Sequence, residues 1–339
     1  MSTPAVLAAL GLLAAAPSTG DPIPVTANNF VRAETDTYFA KTAAAGAFGK
    51  LEHTRRPTPI DAQTVVRMNR DTLYSSGVFD LAAGPVTIDL PDVGKRFMSM
   101  QALSEDHYTV EVVYGPGRHT YDQAAVGTRY LFLIIRTLAD PADPADLKAA
   151  NAAQDRVAVR QAAVGVFESP AWDPVSQTKA RDALAVLAAL GGHPKMFGSK
   201  AQVDPIDHLI GTAFGWGGNP REAAIYNGVD PPRNDGKTVH VLTVKDVPVD
   251  GFWSISVYNA KGFFEAGGEQ GARGGYSLNN LTAKPEADGS FRVQFGGCGA
   301  GVANCLAIMP GWNYTVRLYR PRKAILDGSW TFPVAQPVG

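Results

Sequence analysis

The sequence predicts a mainly β protein of the α+β class. It should hold two related antiparallel β-sandwich or jelly-roll-like domains with a helical segment inserted between them. Three observations carry this. Glycine (35 residues) and proline (24 residues) are abundant, which favours short strands joined by turns. Two blocks of alternating apolar and polar residues, from Thr64 and from Thr238, flank an alanine-rich block with helical spacing. The two alternating blocks also resemble each other. Val86-Thr-Ile-Asp-Leu-Pro-Asp-Val then Phe97-Met-Ser99-Met is matched by Leu242-Thr-Val-Lys-Asp-Val-Pro-Val then Phe252-Trp-Ser254-Ile. Gly127 and Gly311 are each followed by a tyrosine three positions on (Tyr130, Tyr314) and an arginine nine positions on (Arg136, Arg320). Two matches in one order argue for a duplicated β-unit.

Taken in order, residues 1–20 contain the apolar run Ala5 to Ala16, too short to span a bilayer. Its length and small residues suit a signal peptide cleaved near Gly20, although no Lys or Arg precedes it. Residues 21–139 hold a helix from Phe30 to Ala45 and then the first β-domain. Its strands are expected around Leu73–Leu81, Val86–Leu90, Phe97–Leu103, Tyr108–Tyr114 and Tyr130–Leu138. Residues 140–236 are the helical connection, with helices over Ala145–Val159, Ser176–Leu190 and Val203–Phe214; Asp204-Pro205 suits an N-cap followed by N1. Residues 237–339 are the second β-domain. They contain Cys298 and Cys305, whose spacing suits a disulfide-closed loop between two strands. A bridge there and a signal peptide both point to a periplasmic or secreted protein; two free buried thiols are the alternative.

Composition excludes some functions. A net charge of −1 and a pI near 6.6 give no general attraction to nucleic acid or anionic membrane. Histidines 53, 107, 119, 193, 208 and 240 are scattered without ligand spacing, so no metal is expected. Neither a phosphate-binding loop nor a dinucleotide fingerprint is present, and no cofactor is expected.

Several stretches together resemble a bacterial family. They are Asn69-Arg-Asp-Thr-Leu-Tyr-Ser-Ser, Glu105-Asp-His-Tyr108, Gly215-Trp-Gly-Gly-Asn-Pro220, Gly251-Phe-Trp-Ser-Ile-Ser-Val-Tyr-Asn259, Tyr276-Ser-Leu-Asn-Asn280 and Gly311-Trp-Asn-Tyr-Thr-Val-Arg-Leu-Tyr319. The chain is similar to the proteins that pair domains of unknown function 1254 and 1214. The resemblance implies two β-sandwiches around a helical connection, often exported, and supplies no reaction.

Chemistry must therefore be read from the residues. Asp106 and His107, in a turn after a strand, could form a proton-handling pair; a solvated turn with a hydrogen-bonded histidine is the alternative. Arg70 could hold an anionic group and Asp71 act as acid or base, with Asn69 and Tyr74 fixing orientation. A turn cap with a structural ion pair would use the same residues. Ser254 and Tyr258 share a strand face that could bind a ligand, joined by Arg317 and Tyr319, and Tyr108 adds an aromatic group beside His107. Trp216 among glycines could line a pocket or plug a gap between the helices and a sheet. The sequence thus favours a cofactor-independent acid/base enzyme acting on a small polar, anionic or glycan-like molecule. A non-catalytic binding or envelope-associated module, and an assembly protein with a homo-oligomeric interface, are the alternatives.

Overall fold

A computed structural model describes residues 21–63, 65–265 and 275–338. The signal peptide expected over residues 1–20 lies outside the described residues. In chain order the first half contains β1 (Glu52–His53), β2 (Thr72–Asp80), β3 (Val86–Leu90), β4 (Met98–Ser104), β5 (Thr109–Tyr114), β6 (Gly117–Tyr121), β7 (Tyr130–Leu138) and β8 (Ala158–Gln161). The second contains β9 (Ala224–Val229), β10 (His240–Val244), β11 (Trp253–Tyr258), β12 (Ser277–Asn279), β13 (Phe291–Phe295), β14 (Cys305–Leu306), β15 (Asn313–Tyr319) and β16 (Gln336–Pro337). Helices α1 (Phe30–Ala44), α2 (Gln123–Val126), α3 (Pro144–Asp155), α4 (Pro174–Ala188) and α5 (Pro205–Gly215) accompany them.

Each half is a two-sheet sandwich. The order β1-β2-β7-β4-β5 stands over β6-β3-β8, and β12-β11-β15-β9 stands over β14-β13-β10-β16. Residues of both sheets meet in each core: Phe79, Ile88, Met100 and Leu133 in the first half, and Ile255, Val257, Val293 and Val316 in the second. Strand β7 is buried on both faces, which is why its sequence is a continuous apolar run rather than an alternation. Leu131, Leu133 and Ile135 point into the sandwich, while Tyr130, Phe132 and Ile134 meet Phe39 of α1 and Trp216 on the other side. Helices α3, α4 and α5 start in the same way. Asp143, Asp173 and Asp204 each accept a backbone N–H as N-cap, and proline follows at the first helical position. Cys298 and Cys305 form a disulfide with Cα atoms 5.5 Å apart, closing the loop between β13 and β14.

The strand registers make the duplication concrete. In the first half Tyr74, Arg136, Ser99 and Tyr114 form one cross-strand row over β2, β7, β4 and β5. In the second half Tyr226, Arg317, Ser254 and Asn279 form the same row over β9, β15, β11 and β12. Arg136 therefore corresponds to Arg317, and the spacing match of Arg136 with Arg320 is corrected by three residues. The turn glycines mislead because they mark where a strand begins, and β7 has nine residues where β15 has seven. A second correction concerns β9, which falls within residues 140–236, the expected helical connection. Its Asn227-Gly228 pair has the look of a turn, yet all six residues pair with β15. Strand β8, within the Ala-rich block, pairs with β3 of the first sandwich.

Candidate functional site

The outer faces of the two long sheets are each covered by a segment leading into the other half. Arg317, 3% exposed, donates from Nη2 to the carbonyl oxygen of Arg67 (2.8 Å) and to the Tyr258 hydroxyl (2.7 Å), and from Nη1 to Ser256 Oγ (2.9 Å). The Tyr258 hydroxyl donates in turn to the Met68 carbonyl. Residues 67–71, which lead into β2 of the first half, are thereby tied to the second. Arg136 does the reciprocal work. It donates to the Gly217 carbonyl (2.8 Å) and Asn219 Oδ1 (3.2 Å), in the segment that leads into β9, and to Gln101 Oε1 (2.9 Å). Both guanidiniums are buried and surrounded by acceptors, as a buried cation must be. Between them Asn69 Nδ2 lies 3.1 Å from both the Tyr74 and Tyr319 hydroxyls. Phe97 packs edge-on against Phe252, its counterpart in the repeat, with ring centres 5.0 Å apart.

This docking corrects one expectation. The polar face of Ser254, Ser256, Tyr258, Arg317 and Tyr319 is no open ligand surface, because the 67–71 arm covers it and all five residues are buried. A cleft remains beside the arm. It encloses about 720 Å³, within the usual size of a small-molecule site, and is lined by Arg56, Arg70, Asp71, Asp140, Tyr276, Asn279 and an apolar wall that includes Ile60, Leu147, Phe264 and Leu278. Arg70 donates to the Thr58 carbonyl (2.7 Å), with its guanidinium 5.9 Å from the Phe264 ring centre. Asn69 Oδ1 accepts the Asp71 N–H (2.9 Å), so Asn-Arg-Asp is a side-chain-closed turn that sets both Arg70 and Asp71 at the cleft.

Asp71 is 2% exposed. Its Oδ1 accepts from Asn279 Nδ2 at 3.1 Å; Oδ2 is closed off from solvent, and the buried Ser254 hydroxyl is the neighbour close enough to act on the carboxyl. Burial pushes the carboxyl above its usual range; the Arg317 charge, Ser254 and Asn279 pull the other way without reversing it. Such a group can carry a proton at a pH where a surface aspartate cannot.

The repeat places a smaller groove, about 260 Å³, at the matching position of the first half, along β5 and beside Glu222 and Ala223. Counting back from Tyr74 and Tyr226, Arg70 corresponds to Glu222 and Asp71 to Ala223; across the row Asn279 corresponds to Tyr114.

Asp106 and His107 do not join the cleft, and they do not face each other. The Asp106 side chain is 44% exposed and pairs with Arg32 at 2.6 Å. His107 is 1% exposed and lies between the rings of His208 and Trp216 (centres 5.5 and 5.4 Å). Its Nε2 accepts the Gly217 N–H (2.8 Å), which fixes the proton on Nδ1, facing Thr212 Oγ1 at 2.8 Å. Thr212 Oγ1 donates onward to the His208 carbonyl. Burial, and then the neighbouring His208, hold the His107 imidazole well below its ordinary pKa. It is a neutral structural group. Tyr108 stacks on His208 (4.7 Å), and Trp216 stacks on Tyr38 (4.3 Å) and donates to Thr35 Oγ1, plugging the space between α1 and the sheet. Asn279 was not among the residues singled out by sequence reading, although the Tyr276 to Asn280 stretch that contains it was.

No helix among the described residues is long and apolar enough to cross a membrane, and no cluster of His, Cys, Asp and Glu there could hold a metal ion. Two family models match the chain, both for proteins of unknown function: DUF1254 over residues 48–126 and DUF1214 over residues 226–323. No curated protein matches it. The crystal structure of the VPA0106 protein from Vibrio parahaemolyticus is 18% identical, with a TM-score of 0.70 over 92% of this chain and 98% of that one. An uncharacterized protein from Burkholderia cenocepacia is 11% identical, with a TM-score of 0.49 over 87% of this chain and 84% of that one. The first likeness shows a shared fold. The chain belongs to the family that pairs DUF1254 with DUF1214.

Proposed function

We propose that this member of the DUF1254–DUF1214 family binds a small organic anion in the cleft beside the 67–71 arm. Arg56 and Arg70 contact the anionic group, and Asp71 handles a proton next to it. The observation that carries this reading is Asp71, a carboxyl only 2% exposed in the wall of a cleft that also holds two guanidiniums. The apolar wall of Ile60, Leu147, Phe264 and Leu278 favours an anion with an apolar body over a plain sugar. A raised carboxyl pKa is suited to general acid–base work near neutral pH.

Titration calorimetry with benzoate, glucuronate and glucose tests the reading. Benzoate should bind, Arg70→Ala should weaken it at least tenfold, and glucose should not bind. Equal affinity of wild type and Arg70→Ala for every compound would reject the site.

A binding module without turnover is the second reading. It draws on one observation: among the described residues the cleft lining contains no histidine, and its second carboxyl, Asp140, is engaged by the Ala142 N–H in a local turn. Mass spectrometry of a bound ligand before and after long incubation separates the readings, since only an enzyme returns a changed compound. Export belongs to either version. The disulfide supports it, and a mature N-terminus near residue 21 on protein from the periplasm or medium is the expected result.

A further inference from the structure

We propose that Asn279 is a positioning residue for Asp71, holding the carboxyl by one oxygen at the cleft wall, with the buried Ser254 hydroxyl as its other neighbour; this rests on the reading of the cleft as the functional site. Asn279 is suited to that task because its own amide is fixed. Its Oδ1 accepts the backbone N–H groups of Leu281 (3.0 Å) and Thr282 (3.1 Å), and its backbone N–H donates to Thr282 Oγ1. With the oxygen committed to a turn, the amide nitrogen has one direction left, and it lies 3.1 Å from Asp71 Oδ1. Asn279 is 3% exposed, so water does not compete for it.

Asn279 sits in β12 opposite Ser254, whose buried hydroxyl also acts on the Asp71 carboxyl. The donor, the carboxyl and the hydroxyl therefore occupy adjoining positions of the second half's cross-strand row and the arm that crosses it. The repeat supplies an independent comparison. In the first half the serine persists as Ser99, but Ala223 stands in place of the carboxyl and Tyr114 in place of its amide holder. Carboxyl and holder are present together in one half and missing together in the other. A residue needed only for the turn would have no reason to follow the carboxyl.

The other charged and titratable groups facing Asp71 are Arg317 and Tyr319 from β15, Arg56 and Arg70 from the arm and the loop before it, Asp140 after β7, and Tyr276 beside β12. None of them can replace a directed amide donor. Arg317 spends its hydrogen bonds on Ser256, Tyr258 and the arm's backbone.

The test follows the Asp71 carboxyl directly by carbon NMR across a pH titration, with Asp71→Asn assigning its resonance. Asn279→Ala removes a donor that favours the ionised form and should raise the titration midpoint by about one unit. Asn279→Asp keeps an oxygen for the Leu281 and Thr282 N–H groups, so the turn survives, but it puts a second acid against the first and should raise the midpoint further. A midpoint unchanged in Asn279→Asp, in protein with wild-type circular dichroism, overturns the assignment. Benzoate binding is measured on the same samples. A shifted midpoint with no benzoate binding leaves Asn279 as the holder and rejects the ligand reading. Arg70-dependent binding with an unmoved midpoint does the reverse.

Discussion

The segments leading into β2 and β9 do the same structural work and carry different chemistry. Each crosses to the opposite half and is gripped there by a buried arginine, Arg317 for one and Arg136 for the other. Each passes a groove at the edge of a long sheet. Beside one groove stand Arg70, Asp71 and Asn279; beside the other stand Glu222, Ala223 and Tyr114, whose ring lies 4.5 Å from the Arg320 guanidinium. The grip has been kept in both halves and the reactive groups in one. Packing and buried charge thus account for what the halves share, and the ligand site proposed above concerns what they do not.

The strongest way to break that comparison is to remove the grips. Arg317→Met and Arg136→Met each strand several buried acceptors and should cost about 3 kcal/mol, by urea unfolding. Similar losses would confirm equal structural duties, while a large loss for one alone would show that a single arm holds the halves together. The disulfide exists only in the second half. Replacing Cys298 and Cys305 by serine reopens a short loop and should cost about 2 kcal/mol, read as a lower melting temperature that reductant reproduces in wild type.

Ala223→Asp puts the carboxyl where the first half lacks it. Without an asparagine to hold it, the new acid at a 5% exposed position should cost about 2 kcal/mol and confer no benzoate binding. A stable variant with a second binding event would mean that the scaffold alone makes the site. At the small end, Asp106→Asn removes an exposed ion pair and should change stability by under about 0.5 kcal/mol, leaving ligand binding unchanged.

Acid separates the halves as well. His107 is neutral in the fold because burial lowers its pKa, so the unfolded chain takes up a proton that the folded one refuses as pH falls below about 6.5. Stability should decline there, and His107→Gln should flatten the slope. Asp36, raised by burial to about 6, acts in the opposite sense. Its contribution is complete below the unfolded carboxyl range and is lost as pH climbs through about 6. Asp36 lies on α1 and His107 packs from the β4–β5 turn against α5, so the net slope between pH 4 and 7 (roughly the window of these two shifts) reports the contact between the first half and its helices.

Much of the scaffold was legible. The alternation of Val86–Leu90, the alanine-rich helices, the Asp204-Pro205 helix start, and the Phe-x-Ser echo at Phe97 and Phe252 all reflect local periodicity and caps, which neighbouring residues determine. What escaped depends on distant chain. Asp106 and His107 are adjacent in sequence, but the backbone at His107 is left-handed (φ 60°), and the two side chains leave toward different surroundings. Ser254 and Tyr258 alternate as an open polar face would, and nothing in their own strand reveals that residues 67–71 lie over it. Arg70 and Asp71 were recognisable as a polar cluster; that only Asp71 sinks out of solvent beside Asn279 required the fold.

The crossed arms also constrain synthesis. When the first half leaves the ribosome, Arg136 has a sheet around it but no Gly217 carbonyl to bind, because that stretch has not yet been translated. Residues 67–71 likewise wait for Arg317, near the end of the chain. The early half must therefore persist with a hydrated guanidinium and a loose leading segment until nearly all the polypeptide has emerged. Its final closure is a post-translational event, and a nascent chain stalled before residue 317 should be cut by protease within the 67–71 stretch.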